Sequence, residues 1–188
     1  MKATGIIRRL DELGRIVIPK EIRKTLRINE GDSVEIFTDN EQSVIIKKYS
    51  PIDEFIPYAQ EYANSLSTVS KAIVIITDKD QVVAATGSLK KDIMNKPISN
   101  NLLKIINERA MYVASNKSKI VDIVNMPNNN ANIAKDNGIS HQIIQPVISD
   151  GDAVGVVIML LKEGLNVTEV EKKLINVAAL FISNQIRG

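Results

Sequence analysis

The stretch TGIIRRLDELGRIVIPKEIRKTL, residues 4–26, sets two arginines after one short apolar run and a third at the start of the next. Two more cations, Arg23 and Lys24, fall on the segment that follows Pro19. Over residues 1–29, eight Lys or Arg (Lys2, Arg8, Arg9, Arg15, Lys20, Arg23, Lys24, Arg27) face three acids (Asp11, Glu12, Glu21). The local net charge is +5, against +2 for the entire chain. A local basic face of this kind is what a phosphate backbone attracts. The aromatics of the first fifty residues are Phe37 and Tyr49. That is too few for stacking on single-stranded bases, so charge alone leaves two readings, an ordinary solvated basic face or a face for double-stranded DNA. Phosphate contacts would position the protein, a few arginines would reach guanine edges, and DNA shape would contribute.

Working outward, Gly14 to Ile18 is β-branched and bounded by Gly and Pro, as a strand should be. Pro19 suits the first turn of a helix, where its missing N–H would have had no intrahelical partner. Lys20 to Leu26 gives about two helical turns, with Ile22, Thr25 and Leu26 expected to point inward. Gly31-Asp32 is a turn, Ser33 to Thr38 alternates, Asp39-Asn40 is turn chemistry, and Ser43 to Lys48 returns as a strand. Residues 1–50 thus form a β-rich unit with one helix. A unit of about 50 residues buries too little surface to be comfortably stable alone without disulfides or metal. The expectation is a core completed by a second copy, which would set two basic faces side by side for a pseudo-palindromic site.

Ser50-Pro51 breaks the strand, and 51–54 is expected to link this unit to residues 55–188. Ile52, Phe55, Ile56, Ala59, Tyr62, Ala63 and Leu66 recur at helical spacing. Residues 72–77 form a continuous apolar strand that turns at Asp78–Gln81 into Val82–Ala85. Leu102, Leu103, Ile106 and Ala110 suggest a second helix, and residues 125–138 an Asn-rich irregular loop. Gln142–Ser149 and Ala153–Leu161 flank Asp150-Gly151, a strong hairpin signal. Thr168 and Glu171 make a capping box for a last helix with the stripe Val170, Leu174, Val177, Ala178, Phe181 and Ile182. The order implies α+β with an antiparallel sheet. Residues 51–188 carry fourteen cations and fourteen acids, a net charge of zero, which does not suit nucleic acid. The stripes of the first and last helices here can cover their own sheet or pack against another chain as a bundle.

With no cysteine in the chain, disulfides, thiolate zinc sites and a thiol nucleophile are excluded, and a reducing compartment fits. No apolar run approaches the roughly 20 residues that span a bilayer. The start, MKATGIIRR, lacks the apolar core of a signal peptide, so the expected location is the cytoplasm. His141 is the one histidine and has no nucleophile–acid pattern around it. Neither phosphate-binding glycine motif is present, and no enzyme is expected.

The pattern G-I-x-R-x-x-D-E-L-G-R-x-V-I-P-x-E-I-R, followed by a hairpin, resembles the AbrB-type swapped-hairpin DNA-binding domain of sporulating bacteria. The whole chain is similar to sporulation regulators that add a GAF-like second domain. The resemblance implies an intertwined swapped-hairpin β-barrel dimer from residues 1–50 and a GAF-like antiparallel sheet flanked by helices over 55–188. It places DNA contacts on Arg8, Arg15 and Arg23, with Arg9 and Lys24 at adjacent basic positions. Lys24 stands where relatives carry arginine, keeping the charge and losing the planar fork. It further implies a homotetramer joined through the C-terminal helices and control of forespore genes late in sporulation, by activation and repression. A GAF-like fold would place a cavity between the sheet and residues 112–140, leaving two readings open, a small-molecule sensor or a structural oligomeriser, with no cofactor named. The alternative is an antitoxin-like autoregulator, since the same small barrel occurs in toxin-neutralising proteins.

Overall fold

The computed structural model describes residues 5–40, 42–125 and 137–186. The chain divides into two compact units, Met1–Tyr49 and Ser50–Gly188.

The first unit contains helix α1 (Lys20–Thr25) and a hairpin of β1 (Val34–Thr38) and β2 (Val44–Lys48), paired in register from Val34 opposite Lys48 to Thr38 opposite Val44. Gly14–Ile18, expected as a strand, pairs with no strand among the described residues. Its composition is strand-like, but a strand also needs a neighbour, and the described residues of this unit supply none. Among the described residues of the unit, Ile28 is the one buried hydrophobic. Leu26, expected to face inward, is 46% exposed, and Thr25 is exposed as well. One short helix and one two-stranded hairpin cannot enclose a core.

The second unit starts with a 3-10 turn, Pro51–Glu54, where a linker was expected. Ile52 in that turn is completely buried. Helix α2 (Ile56–Ser70) leads into a five-stranded antiparallel sheet of β3 (Ile73–Asp78), β4 (Val82–Ala85), β5 (Tyr112–Ala114), β6 (Ile139–Ser149) and β7 (Asp152–Lys162), in the order β4-β3-β7-β6-β5. Helices α3 (Lys90–Ile93) and α4 (Asn100–Glu108) lie between β4 and β5 in the chain, and α5 (Glu169–Gln185) closes it. The Asn-rich loop expected over 125–138 lies largely outside the described residues.

The sheet is apolar on both faces because both are covered. Val74, Ile76, Ala84, Val157, Met159 and Leu161 pack with Ile52, Phe55, Ala59 and Ala63 and with Ile175, Ala178 and Ile182 of α5. Ile75, Val156, Ile158 and Leu160 pack on the opposite side with Leu89, Ile93, Leu102 and Ile106. The β6–β7 hairpin turns through Asp150 and Gly151 at φ of +50° and +84°, the left-handed pair that a tight hairpin demands. The Thr168 hydroxyl accepts the Val170 N–H at 3.1 Å, and Glu171 accepts the Thr168 N–H at 2.9 Å, completing the expected capping box. Asp78, at the end of β3, is mostly buried, and desolvation lifts its carboxyl above the ordinary range against the pull of the Gln81 and Asp80 N–H groups.

Gly155 shows how closely the central strands approach. A Cβ there would lie 2.0 Å from the Thr77 carbonyl oxygen, a backbone atom that cannot step aside. Gly155→Ala should therefore destabilise the second unit by about 3 kcal/mol, read as a lowered midpoint in urea denaturation of the full chain. An unchanged midpoint would contradict this packing.

Candidate nucleic-acid interface

Arg15, Arg23 and Lys24 sit on two local structures, and Arg8 and Arg9 lie in the segment that precedes the first of them. One is the turn Asp11–Arg15. Asp11 N–H donates to the Arg15 carbonyl and Gly14 N–H to the Asp11 carbonyl, both at 3.0 Å. Gly14 takes φ of +74°, a conformation glycine adopts without the Cβ penalty. The Asp11 side chain folds back into the turn: Oδ1 accepts the Leu13 N–H at 3.0 Å and the Arg15 N–H at 2.8 Å. Its Oδ2 accepts the Arg15 Nε–H at 2.8 Å. These bonds, the Arg15 backbone N–H first and its guanidinium second, hold the Asp11 carboxyl below the ordinary range. It is therefore ionised through neutral pH, and the charge is lost only as pH falls through that depressed value.

The other local structure is the end of α1. Arg23 and Lys24 occupy its last turn, where a cation complements the helix dipole. Past Leu26 the chain reverses through Arg27 at φ of +54°. Ile28 N–H donates to the Arg23 carbonyl at 2.8 Å and Arg27 N–H to the Lys24 carbonyl at 3.3 Å. This is a Schellman closure, with buried Ile28 as its apolar anchor. It fixes the helix end that carries Arg23 and Lys24.

Arg8, Arg9, Arg15, Arg23 and Lys24 are all exposed. Of these five, Arg15 is the one engaged in an ion pair among the described residues. The structure thus leaves these cations available to an anionic partner. Acids are concentrated further on: residues 30–50 carry Glu30, Asp32, Glu35, Asp39 and Glu41 against Lys47 and Lys48. Asp32 is drawn into a local cluster, with Oδ2 3.1 Å from Lys48 Nζ and 2.7 Å from the Asn29 backbone nitrogen. In the sequence Asp11 stands out only as a charge. The signal that could have singled it out is an Asp three residues before a Gly, which is turn chemistry.

Beside the cations lies an apolar groove of about 230 Å³ lined by Ile6, Ile16, Val17, Ile22, Leu26 and Ile46, with Arg8 and Pro19 at its walls. Val17 is 76% exposed, and Ile36 and Val44 on the hairpin are 65% and 66% exposed.

The second unit carries its own apolar surface on α2 and α5. The Tyr62 and Phe181 rings stack at 4.9 Å, and Phe55 meets both edge-on. Tyr58, Val177, Leu180 and Phe181 are 42% to 65% exposed along these two helices. On the other side of the sheet, Gln142 pins the segment expected to wall a cavity. Its Oε1 accepts the Val121 N–H at 2.8 Å, and its Nε2 donates to the Val121 carbonyl at 3.1 Å. The remainder of that expected wall, residues 126–136, lies outside the described residues. His141 Nδ1 is 2.8 Å from Ser140 Oγ. Among the described residues no three His, Cys, Asp or Glu side chains gather as metal ligands would, and no helix is long and apolar enough to cross a membrane.

Comparison with known proteins adds to this geometry. Residues 54–187 match the family described as "Stage V sporulation protein T C-terminal, transcription factor", and residues 7–54 match "Antidote-toxin recognition MazE, bacterial antitoxin". The chain is 43% identical to stage V sporulation protein T of Bacillus subtilis over 186 residues, covering 99% of each chain. It is 59% identical over 51 residues to the transition state regulatory protein AbrB of Bacillus subtilis, covering 27% of this chain and 52% of that protein. The GAF domain of an Acinetobacter phosphoenolpyruvate-protein phosphotransferase superposes with a TM-score of 0.54 at 16% identity, covering 74% of this chain and 83% of that one. The second unit therefore has a GAF-like fold.

Proposed function

This chain belongs to the stage V sporulation protein T family of transcription factors, and from that premise we propose that it is a homo-oligomeric regulator that binds double-stranded DNA in a sequence-specific way. The observation that carries the reading is the set of exposed cations Arg8, Arg9, Arg15, Arg23 and Lys24, of which Arg15 is held by a turn and Arg23 and Lys24 by a capped helix end. Arginines with free donor edges match guanine O6 and N7 in the major groove, and the remaining cations match phosphates.

The dimer follows from the apolar surface of the first unit. Gly14–Ile18 needs a strand partner, and the groove of Ile16, Val17, Ile22 and Ile46 needs an occupant. The hairpin of a second copy supplies both, giving an intertwined barrel with two basic faces. The exposed aliphatic and aromatic residues of α2 and α5 then join two such dimers into a tetramer. Tethering two DNA-binding dimers raises the effective concentration of the second contact, so assembly itself sets affinity.

The sporulation setting rests on the name of the relative matched end to end. On that basis the protein acts in the cytoplasm, at forespore genes, activating some and repressing others. It performs no catalytic step of its own. A second reading, an antitoxin that regulates its own gene, draws on the match of residues 7–54. The short acidic tail through which such a protein would hold a toxin is replaced here by a folded GAF-like unit, and the regulator is the better account.

Arg15→Ala and Arg23→Ala should each weaken binding to a selected duplex by about tenfold or more and lessen its salt dependence, measured by gel-shift titration at several salt concentrations. Unchanged affinity in both variants would refute the interface. Phe181→Asp should convert tetramers into dimers in sedimentation velocity while leaving the circular dichroism spectrum intact. A persisting tetramer would show that α2 and α5 are not the contact.

A further inference from the structure

Asp11 is an acid that lies in the sequence between Arg9 and Arg15, where its own charge would oppose the binding of phosphates. Its three contacts say what it does there. Two of them, from the Leu13 and Arg15 backbone N–H groups to Oδ1, belong to the turn. The turn is closed independently by main-chain bonds at both ends. The third contact, Oδ2 to the Arg15 Nε–H at 2.8 Å, adds nothing to the turn and goes to a side chain that is 72% exposed. An exposed ion pair of this kind contributes little to stability. It does fix a direction. Arginine otherwise orders several rotatable bonds when it binds, whereas here the carboxylate takes the guanidinium from its Nε side. The terminal Nη1 and Nη2 atoms are left as an end-on fork, the edge that pairs with guanine O6 and N7.

We propose that Asp11 is a positioning residue for DNA recognition: anchored by the backbone N–H groups of its own turn, it grips Arg15 through Nε and presents the arginine's terminal nitrogens to a base edge. Asp11 thereby sets sequence preference without touching DNA. The proposal rests on the reading of Arg15 as a DNA contact, and the experiment separates the two.

The full-length protein is titrated against a duplex selected from a random pool by the wild-type protein, and against a scrambled duplex of equal length. The variants are Asp11→Asn, Arg15→Ala and the two combined. Asparagine keeps an oxygen for the turn N–H groups but removes the charge that holds Nε. The expected result is that Asp11→Asn binds the selected duplex about tenfold more weakly and the scrambled duplex as well as wild type or better, with an unchanged melting temperature. In the combined variant, Asp11→Asn should cost nothing beyond Arg15→Ala alone. Tighter binding to both duplexes would show a mere opposing charge and overturn the proposal. Weaker binding to both, with a lowered melting temperature, would show a merely structural role and overturn it equally. Full affinity of Arg15→Ala for the selected duplex would refute the Arg15 contact itself, and the proposal with it.

Discussion

Most large apolar side chains among the described residues of 5–49 find no cover within their own unit. Ile28 is buried, whereas Ile7, Leu13, Val17, Ile36 and Val44 are each more than half exposed. Apolar surface is stabilised by about 25 cal/mol for each Å² removed from water, and a segment this short cannot remove its own. Everything proposed for the unit follows from that deficit. A copy of the chain is the economical source of a complementary surface, because the same unpaired strand and the same open groove occur on it. Two-fold association also repeats the turn of Asp11–Arg15 and the capped end of α1, which suits DNA half-sites related by the same symmetry.

The second unit has the opposite character. Its sheet is enclosed on both faces, with β3 and β4 buried along their whole length. Local chemistry agrees with the global packing at every level: a glycine where β3 and β7 come too close for a Cβ, a left-handed pair at the β6–β7 turn, a capping box at the start of α5. Agreement of this sort is what makes a sequence specify one fold. Among the described residues of this unit, the exposed large hydrophobics lie on α2 and α5, and a neutral, well-folded unit with such a patch fits a part that joins subunits.

Much of this was legible in the sequence, for identifiable reasons. β6 and β7 are long, apolar and joined by Asp150-Gly151, so length, composition and turn chemistry pointed the same way. The basic excess over residues 1–29 was visible as charge alone. Other features required three dimensions. The stripe expected on α5 merged two faces: Ala178 and Ile182 do face the sheet, but with Ile175 and Ala179, whereas Val170, Val177 and Phe181 point outward. Helical periodicity marks apolar positions without saying which neighbour covers them. The short elements α3 and β5 carry too few residues for a periodic signal. Gly14–Ile18 has a strand's composition without a strand partner among the described residues, and composition does not say where a partner comes from. Asp11 was hidden for a different reason: within a basic run an acid subtracts from a total, and its hold on Arg15 becomes visible only once the turn is folded.

The central claim is that the first unit owes its core to a second copy, and amide hydrogen exchange under dilution tests it most directly. The full-length protein is diluted through the range in which sedimentation shows subunits separating, and protection is followed for residues 14–18 and 34–48. These amides should be protected in the assembled protein and lose protection together as subunits part, while β3, β6 and β7 remain protected. Protection of residues 14–18 that persists in the separated monomer would mean the unit completes its own core, and would contradict the account.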